Sequence, residues 1–216
     1  YIKGFNWLLY EGGKFSTSDQ RGIFMNDALE ILPADYWRWW LLSNAPENSD
    51  TNFTWTDFQS DINKDLADIL GNFVSRVTKF SFSKFGNEIP KDGFYEELES
   101  KVIEKLSKSL KNYEKFLTSI QIRKAALELR SMWVLGNEYM QEAAPWAVYK
   151  NNPSKAAHIS RFSINLIRMY AILSEPFIPN SSKIIKEALG LEEDLEWPSS
   201  VDEEVLKLSG GQLFKV

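Results

Sequence analysis

Residues 54–80 have the sequence TWTDFQSDINKDLADILGNFVSRVTKF, in which apolar side chains recur every three or four positions. This spacing predicts one long amphipathic α-helix. Its predicted buried face consists of Phe58, Ile62, Leu66, Ile69, Leu70, Phe73, Val74, Val77 and Phe80. Thr54, followed three residues later by Asp57, is a variant of the capping box and predicts where the helix begins. We therefore expect this helix to form one side of a helical bundle.

A polar stripe runs beside the apolar one on the same predicted helix. Its members are Asp65, Asp68, Asn72, Arg76 and Lys79. Asn72 and Arg76 are four residues apart, so their side chains point the same way. Such a pair is most often only a solvated helix face, and it becomes a candidate site only if other segments supply matching groups.

The composition excludes several classes of site. The chain has 216 residues, is 44% hydrophobic, and has no cysteine and one histidine. It is long enough for one large or two small domains, and we predict neither a metal site nor a catalytic Ser/His/Asp or Cys/His set. His158 is expected to be structural. No apolar run approaches the length of a membrane span, and the start at Tyr1 without methionine suggests a piece of a longer parent.

Charge is distributed unevenly along the chain. The net charge is −5, but residues 1–75 carry −6, residues 76–130 carry +4 and residues 131–216 carry −3. A basic middle section is compatible with contact to a polyanion, and equally with lysine-rich solvated helix faces.

The remaining pattern predicts a mainly α protein. Residues 2–10 are predicted as a strand and residues 45–53 as a loop. Further helices are predicted over residues 26–32, 33–42, 94–117, 119–142, 152–173, 181–189 and 201–208. Asn152, followed by Pro153, is predicted to cap the helix that starts there. We predict two parts, a small β-containing segment over residues 1–53 and a helical bundle over residues 54–216.

Two features outside the long helix have chemical potential. Gly12-Gly13-Lys14, followed by the hydroxyls of Ser16, Thr17 and Ser18, offers groups that bind anionic oxygens, although it lacks the spacing of a P-loop. Trp146 directly follows Ala144-Pro145, where a helix is predicted to break. The ring is either a cap on the core or an exposed platform on which a base stacks.

Four segments occur in an order that resembles the C-terminal half of the methionyl-tRNA synthetase family, class I aminoacyl-tRNA synthetases. They are Gly13-Lys14-Phe15-Ser16-Thr17-Ser18, Leu32-Pro33-Ala34-Asp35-Tyr36-Trp37-Arg38, Gly71-Asn72-Phe73-Val74-Ser75-Arg76 and Ala144-Pro145-Trp146. The resemblance spans essentially the whole chain. It implies a helical anticodon-binding domain preceded by a β-containing segment with the signature loop and the stem-contact helices.

The resemblance implies that residues 14–18 form the family's Lys-Met-Ser-Lys-Ser signature loop. Lys14, Ser16, Thr17 and Ser18 would then be catalytic and, together with Phe15, would contact ATP, which is bound with Mg²⁺ as a substrate. The loop stabilises the leaving pyrophosphate while methionyl-adenylate forms. This sequence departs from the pattern at Phe15 and at Thr17, where the family often has a second lysine. Lys14 would therefore supply the positive charge of the loop.

The resemblance also implies that Asn72, Arg76 and Trp146 read the CAU anticodon of methionine tRNA. Trp146 would stack on the first anticodon base while Asn72 and Arg76 bind base edges. Pro145 places Trp146 there, and Asn137 is a further candidate on the same surface.

The implied protein is a cytoplasmic methionine–tRNA ligase with methionine tRNA, ATP and methionine as partners and no membrane. The family's His-Ile-Gly-His element, methionine pocket and zinc-knob insertion lie upstream of the residues present, so we expect this chain alone to be inactive in methionine-dependent ATP–pyrophosphate exchange. Two alternatives are a non-catalytic helical module that binds tRNA or protein, and the equivalent region of another class I synthetase for an aliphatic amino acid.

Overall fold

The computed structural model of the chain describes residues 2–91, 93, 95–191 and 195–212. The helices are α1 (Met25–Ile31), α2 (Ala34–Ser43), α3 (Trp55–Ile62), the π-helix π1 (Asn63–Gly71), α4 (Asn72–Phe85), α5 (Glu97–Thr118), α6 (Ile122–Ala143), α7 (Pro145–Val148), α8 (Pro153–Ser174), α9 (Pro179–Ala188) and α10 (Val201–Glu204). The strands are β1 (Leu8–Tyr10), β2 (Gly13–Lys14), β3 (Thr51–Phe53), β4 (Glu88–Ile89) and β5 (Gly211–Gln212). The prediction of a mainly α protein is confirmed by these elements. The predicted start of one helix, at residue 94, lies outside the described residues.

A three-stranded sheet in the order β2-β1-β3 stands at the N-terminal end. Strand β1 is antiparallel to β2 and parallel to β3, with Tyr10 opposite Gly13 and Phe53. The predicted strand over residues 2–10 was too long, and the predicted loop over residues 45–53 was wrong in its last three residues. Trp7 shows why the strand is short, since its amide donates to the Asp50 carboxylate at 2.9 Å. The three residues of β3 are too few for a periodic signal.

The long helix begins where the sequence predicts. Thr54 accepts a hydrogen bond from the Asp57 amide at 3.0 Å, which confirms the cap. The helix continues to Phe85, but the prediction of uninterrupted α-helix was wrong because residues 63–71 form a π-helix. The Asn72 amide reaches back five residues to the Ala67 carbonyl, which is the π-helical pattern. The last α-helical section therefore begins at Asn72, the first residue of the candidate pair.

Asp65 was wrongly placed on the solvated stripe, because only 9% of its surface is exposed. Arg130 of α6 donates to its carboxylate at 2.5 Å, and the Trp39 indole of α2 donates at 3.2 Å. A charged side chain is buried only when it is paired and hydrogen-bonded, and both partners come from other helices. The carboxylate therefore joins π1 to α2 and α6.

Helix α8 forms the centre of the core, and α5 and α6 form a packed pair beside it. Gly136 of α6 lies against Phe73 of α4 and Tyr170 of α8, and a Cβ at this position would stand 3.0 Å from atoms of both rings. The Tyr170 hydroxyl donates to the Met132 carbonyl of α6 at 2.5 Å. This close approach fixes α4 relative to α6, and these two helices carry the candidate site.

Neither a candidate membrane span nor a metal-binding cluster is present among the described residues. None of the helices in this part of the chain is long and apolar enough to cross a membrane. Within the same residues, no group of three or more His, Cys, Asp or Glu side chains is arranged to hold a metal ion.

His158 is a buried residue of α8, with 3% of its surface exposed. The Tyr95 ring packs edge-on against the imidazole at a centroid distance of 4.9 Å, and an Arg161 guanidinium nitrogen lies 3.2 Å from Nδ1. Burial lowers the pKa of His158 below its usual value, and Arg161 and Lys155 act in the same direction against the opposing effects of Glu99 and Glu96. The folded protein thus favours the neutral ring.

Lowering the pH from 7 to 5 is therefore expected to reduce the free energy of unfolding through His158. An unfolded histidine takes up its proton near pH 6.5, whereas the folded one resists protonation, so below about pH 6.5 the unfolded state binds more protons. The free energy of unfolding falls by at most about 1.4 kcal/mol per pH unit, and it stops falling once the pH is below the pKa of His158 in the folded protein. Urea unfolding at a series of pH values measures it. His158→Gln, which removes the only histidine, should flatten the dependence in this window, and an unchanged slope would contradict the assignment.

Candidate nucleic-acid interface

A groove of about 550 Å³ separates the long helix from α6. It is lined by Asp68, Ile69, Asn72, Arg76, Val134, Asn137, Glu138, Gln141 and Glu142. Asn72 is exposed and Arg76 is half-buried, so both present polar atoms to solvent at the groove. The two residues predicted from their spacing therefore line one cleft, where a planar ligand has access to both.

Trp146 is positioned by a sharp turn between α6 and α7. Ala144 adopts the left-handed conformation, with φ 41° and ψ 58°, which costs energy in a residue that carries a Cβ. Pro145 follows as the first residue of α7, where its fixed φ and missing N–H are tolerated. Pro145 is buried, whereas Trp146 keeps 41% of its surface exposed. The break predicted at these residues is confirmed, and the turn directs the indole outward.

The structure brings Arg76 and Trp146 together. The Arg76 guanidinium carbon lies 5.0 Å from the centroid of the indole, within the range of a cation–π contact. The same guanidinium donates to the Gln141 side-chain oxygen of α6 at 3.2 Å. Two partners from two helices thus restrict the orientation of the arginine, with Asn72 one helical turn before it.

Asn137 lines the groove, but its side-chain amide is turned towards the long helix. Its amide nitrogen donates to the Ile69 carbonyl of π1 at 2.9 Å and to the Trp133 carbonyl at 3.2 Å. Its amide oxygen is buried without a protein partner among the described residues. With both amide hydrogens engaged, Asn137 holds α6 against the π-helix immediately before Asn72.

Gln141 was missed by the sequence analysis. Asn137 and Gln141 have the same four-residue spacing on α6 as Asn72 and Arg76 have on α4. Two polar pairs with matched spacing on different helices are a signal for a shared groove. The sequence does not show that α4 and α6 lie side by side, so this signal can be interpreted only with the structure.

The residues predicted to form the signature loop lie at the N-terminal sheet, apart from the groove. Lys14 is exposed at the end of β2, and its ammonium lies 5.3 Å from the centroid of the Trp7 ring. The Ser16 amide and carbonyl pair with those of Arg21 at 2.9 and 2.8 Å, so the loop closes into a tight turn with Thr17 and Ser18 exposed at its tip. The Ser16 hydroxyl donates to Asp19 at 2.8 Å and lies 3.1 Å from that of Ser18.

Arg21 is the second cation of this loop, and its side chain stabilises the fold of the loop. Its guanidinium donates to the carbonyls of Tyr10 and Glu11 at 3.2 and 3.0 Å. Both cations are exposed, but the Arg21 guanidinium is hydrogen-bonded to backbone carbonyls, whereas the Lys14 ammonium lies beside the Trp7 ring. The sheet leads directly into the long helix at Trp55, and Arg76 lies roughly 30 Å further along that helix at an α-helical rise of about 1.5 Å per residue. The loop and the groove are thus two separate sites.

Comparison with known proteins identifies the family to which the chain belongs. The model of the anticodon binding domain of methionyl tRNA ligase matches residues 89–216, and the model of class I tRNA synthetases (M) matches residues 1–78. The methionine–tRNA ligase of Dinoroseobacter shibae is 56% identical over 216 residues, and that of Ruegeria sp. strain TM1040 is 55% identical over 216 residues. Each alignment covers 100% of this chain and 38% of the relative, so the chain spans under two fifths of their length.

A solved structure supports the same fold. The methionyl-tRNA synthetase of Mycobacterium tuberculosis, in complex with methionyl-adenylate, superimposes with a TM-score of 0.84 at 21% sequence identity, covering 97% of this chain and 42% of that one. At this identity the likeness concerns the fold. Because the anticodon-domain model covers more than half of the chain, the chain belongs to the methionyl-tRNA ligase family, in which it comprises the anticodon-binding domain and part of the catalytic domain.

Proposed function

We propose that this chain reads the CAU anticodon of methionine tRNA and carries the ATP-contacting loop of a methionine–tRNA ligase. The observation that carries the proposal is the contact of the Arg76 guanidinium with the Trp146 ring, 5.0 Å away, beside a groove that Asn72 also lines. A cation, an amide and an aromatic face together can hold one unstacked base of a single-stranded loop.

The first anticodon base, a cytosine, stacks on the exposed part of the Trp146 ring. Its base edge offers an amino donor at N4 and acceptors at N3 and O2. The Asn72 amide oxygen accepts from the amino group, and the Arg76 guanidinium donates to the ring acceptors. Uracil has a carbonyl in place of the amino group, so the Asn72 oxygen would face another acceptor. The pair thus favours cytosine.

Three further residues position these readers. Gln141 orients the Arg76 guanidinium through its 3.2 Å hydrogen bond, and Pro145 fixes the turn that exposes Trp146. Asn137 acts through the backbone, because its bond to the Ile69 carbonyl holds the helix just before Asn72. We assign Asn137 a positioning role instead of base contact.

The N-terminal loop contacts ATP in the complete enzyme. Lys14 places its charge near the phosphates, and the hydroxyls of Thr17 and Ser18 donate hydrogen bonds to them, with Phe15 beside the nucleotide. The Ser16 hydroxyl joins them when it exchanges its hydrogen bond to Asp19 for one to a phosphate. ATP is bound with Mg²⁺ as a substrate, and stabilising the leaving pyrophosphate promotes formation of methionyl-adenylate. Methionine and methionine tRNA are the other substrates, and the reaction takes place in the cytoplasm, where tRNA is used in translation. The chain alone is inactive in this reaction.

Anticodon reading is tested with fluorescein-labelled RNA hairpins whose loops contain CAU or an altered first base. Fluorescence anisotropy is preferable to intrinsic fluorescence because the chain has eight tryptophans. The CAU hairpin is expected to bind about 5- to 150-fold more tightly than the hairpin with uracil at the first position, corresponding to about 1–3 kcal/mol of discrimination. A hairpin with a changed stem sequence and an intact CAU loop serves as the control.

Equal affinity for the CAU and altered hairpins would refute anticodon reading. If both hairpins bound equally well, the chain would be a non-specific RNA-binding module. If neither bound, the protein-interaction alternative would be favoured. Preference for a different anticodon would favour a synthetase for another aliphatic amino acid.

A further inference from the structure

We infer that the RNA-binding surface continues along α4 to a second platform, formed by Tyr149 and Lys84, which takes the nucleotide next to the one stacked on Trp146. The inference rests on the proposed function, because it extends the same single-stranded RNA surface. Its ligand is one nucleotide, with a base for the aromatic ring and a phosphate for the cation.

The second platform repeats the geometry of the first. The Lys84 ammonium lies 5.2 Å from the centroid of the Tyr149 ring, as the Arg76 guanidinium lies 5.0 Å from that of Trp146. Both cations belong to α4 and are eight residues apart, which places them on one face about 12 Å from each other. Both rings come from the short segment after the Ala144 turn. Non-specific single-strand binders use this arrangement, in which cations follow the backbone and successive bases stack on aromatic rings.

Phe80 and Phe85 fix the orientation of the Tyr149 ring. Phe80 meets it edge-on at 6.4 Å and 88°, and Phe85 does so at 5.8 Å and 74°. Phe80 lies midway between Arg76 and Lys84, one helical turn from each, so it links the two platforms. Tyr149 stays half-buried and Lys84 exposed. Because two neighbouring rings restrict it, the Tyr149 ring keeps its orientation when a base stacks on it.

The long helix changes from acidic to basic at the start of α4, which carries the proposed RNA-binding surface. Helix α3 and π1 together contain four acidic residues and one lysine, whereas α4 contains three basic residues and no acidic one. The carboxylates Asp68, Glu138 and Glu142 line the groove beside Asn72 and would repel a phosphate there. The phosphates of a bound strand are therefore better placed towards Lys84, while the groove takes a base edge.

The test compares Lys84→Gln and Tyr149→Leu in this chain, with the CAU hairpin as the probe. The matched control is Lys124→Gln, because the Lys124 ammonium also lies over an aromatic ring, that of Phe116, at 5.6 Å on another part of the protein. If Lys84 contacts a phosphate, Lys84→Gln lowers the magnitude of the slope of log K against log salt by about 0.7 and weakens binding roughly fivefold at 0.1 M salt. Lys124→Gln should change neither quantity.

Tyr149→Leu is expected to weaken binding about fivefold or more, the low end for losing one base–aromatic stack. Hairpins with an abasic nucleotide at each loop position in turn identify the base involved. The effect of Tyr149→Leu should vanish at one position, adjacent to the position that cancels the effect of Trp146→Ala. Thermal unfolding of each variant confirms that it is folded, and Tyr149→Phe, which keeps the ring, should retain the affinity.

The outcomes separate this inference from the proposed function. If Trp146→Ala weakens binding while Lys84→Gln and Tyr149→Leu act like Lys124→Gln, the second platform is refuted and anticodon reading stands. If Trp146→Ala also has no effect, the anticodon-reading surface itself is refuted. If Tyr149→Leu weakens binding equally with every abasic hairpin, the ring is only structural and the second platform is refuted.

Discussion

Trp146→Ala is expected to weaken binding of the CAU hairpin by roughly one to two orders of magnitude. Removing the indole removes one base–aromatic stack, worth about 1–3 kcal/mol. It also removes the ring that the Arg76 guanidinium contacts at 5.0 Å, so the Gln141 hydrogen bond is left to orient the arginine among the residues that the structure describes. Anisotropy titration of the labelled hairpin measures the loss, and Trp146→Phe should recover part of it because a smaller ring still stacks.

Trp197 provides the matched control. It is 40% exposed, against 41% for Trp146, but its ring stacks on Tyr113 at 5.9 Å and its indole donates to Glu114. Trp197→Ala removes an equally exposed tryptophan from a different surface and should leave hairpin binding unchanged. Equal losses in the two variants would contradict the role of Trp146. In a complete methionine–tRNA ligase that contains this chain, Trp146→Ala should harm aminoacylation far more than adenylate formation, since the loop proposed to contact ATP is remote from the groove.

Local chemistry allowed some of the helix ends to be predicted. The Thr54 cap, the Ala144-Pro145 break and the Asn152 cap all operate within a few residues, and all three are present. The Asn152 side chain accepts from the Lys155 amide at 3.0 Å, with Pro153 as the first helical residue. Each cap or break depends on interactions with the backbone of neighbouring residues, so it can be predicted without knowledge of tertiary contacts.

The missed features depend on contacts between distant segments. Strand β3 exists because β1 lies beside it, and π1 is held by the Asn137 amide of α6 on the Ile69 carbonyl. The periodicity of residues 63–71 is equally compatible with an α-helix, so the sequence contains no local sign of the wider turn. Asp65 was wrongly predicted to be solvated for the same reason, because its pairing with Arg130 depends on how α6 packs against π1.

The candidate site was predictable in part. Spacing alone put Asn72 and Arg76 on one turn, and the resemblance added Trp146 from a distant segment. Gln141, Lys84 and Tyr149 were missed, because each owes its candidacy to a contact made across helices. The assignment of individual site residues, and the boundary between residues 53 and 54, stay predictions.

Asp65→Ala is expected to lower the free energy of unfolding by about 2–4 kcal/mol. The substitution leaves the Arg130 guanidinium without its carboxylate at 2.5 Å and the Trp39 indole without its acceptor. Removing one partner of a buried ion pair costs about 3–5 kcal/mol, and we expect a smaller loss because the Arg130 side chain is 25% exposed and water reaches it. Urea unfolding measures the change, and the melting temperature should fall by roughly 5–15 °C.

Asp68→Ala is the matched control, because Asp68 is an exposed acid three residues along the same π-helix and its loss should cost under about 0.5 kcal/mol. The double variant Asp65→Leu/Arg130→Met distinguishes two causes of the lost stability. One is the loss of the ion pair itself, and the other is the charge of Arg130 left buried without a partner. Replacing both members of a buried pair by apolar groups is often neutral, so the double variant should be more stable than Asp65→Ala. A double variant at least as unstable as Asp65→Ala would show that the geometry of π1 requires the carboxylate itself. The hairpin affinity of the folded double variant then decides whether this anchor also positions Asn72, since the π-helix that holds Asp65 ends immediately before that residue.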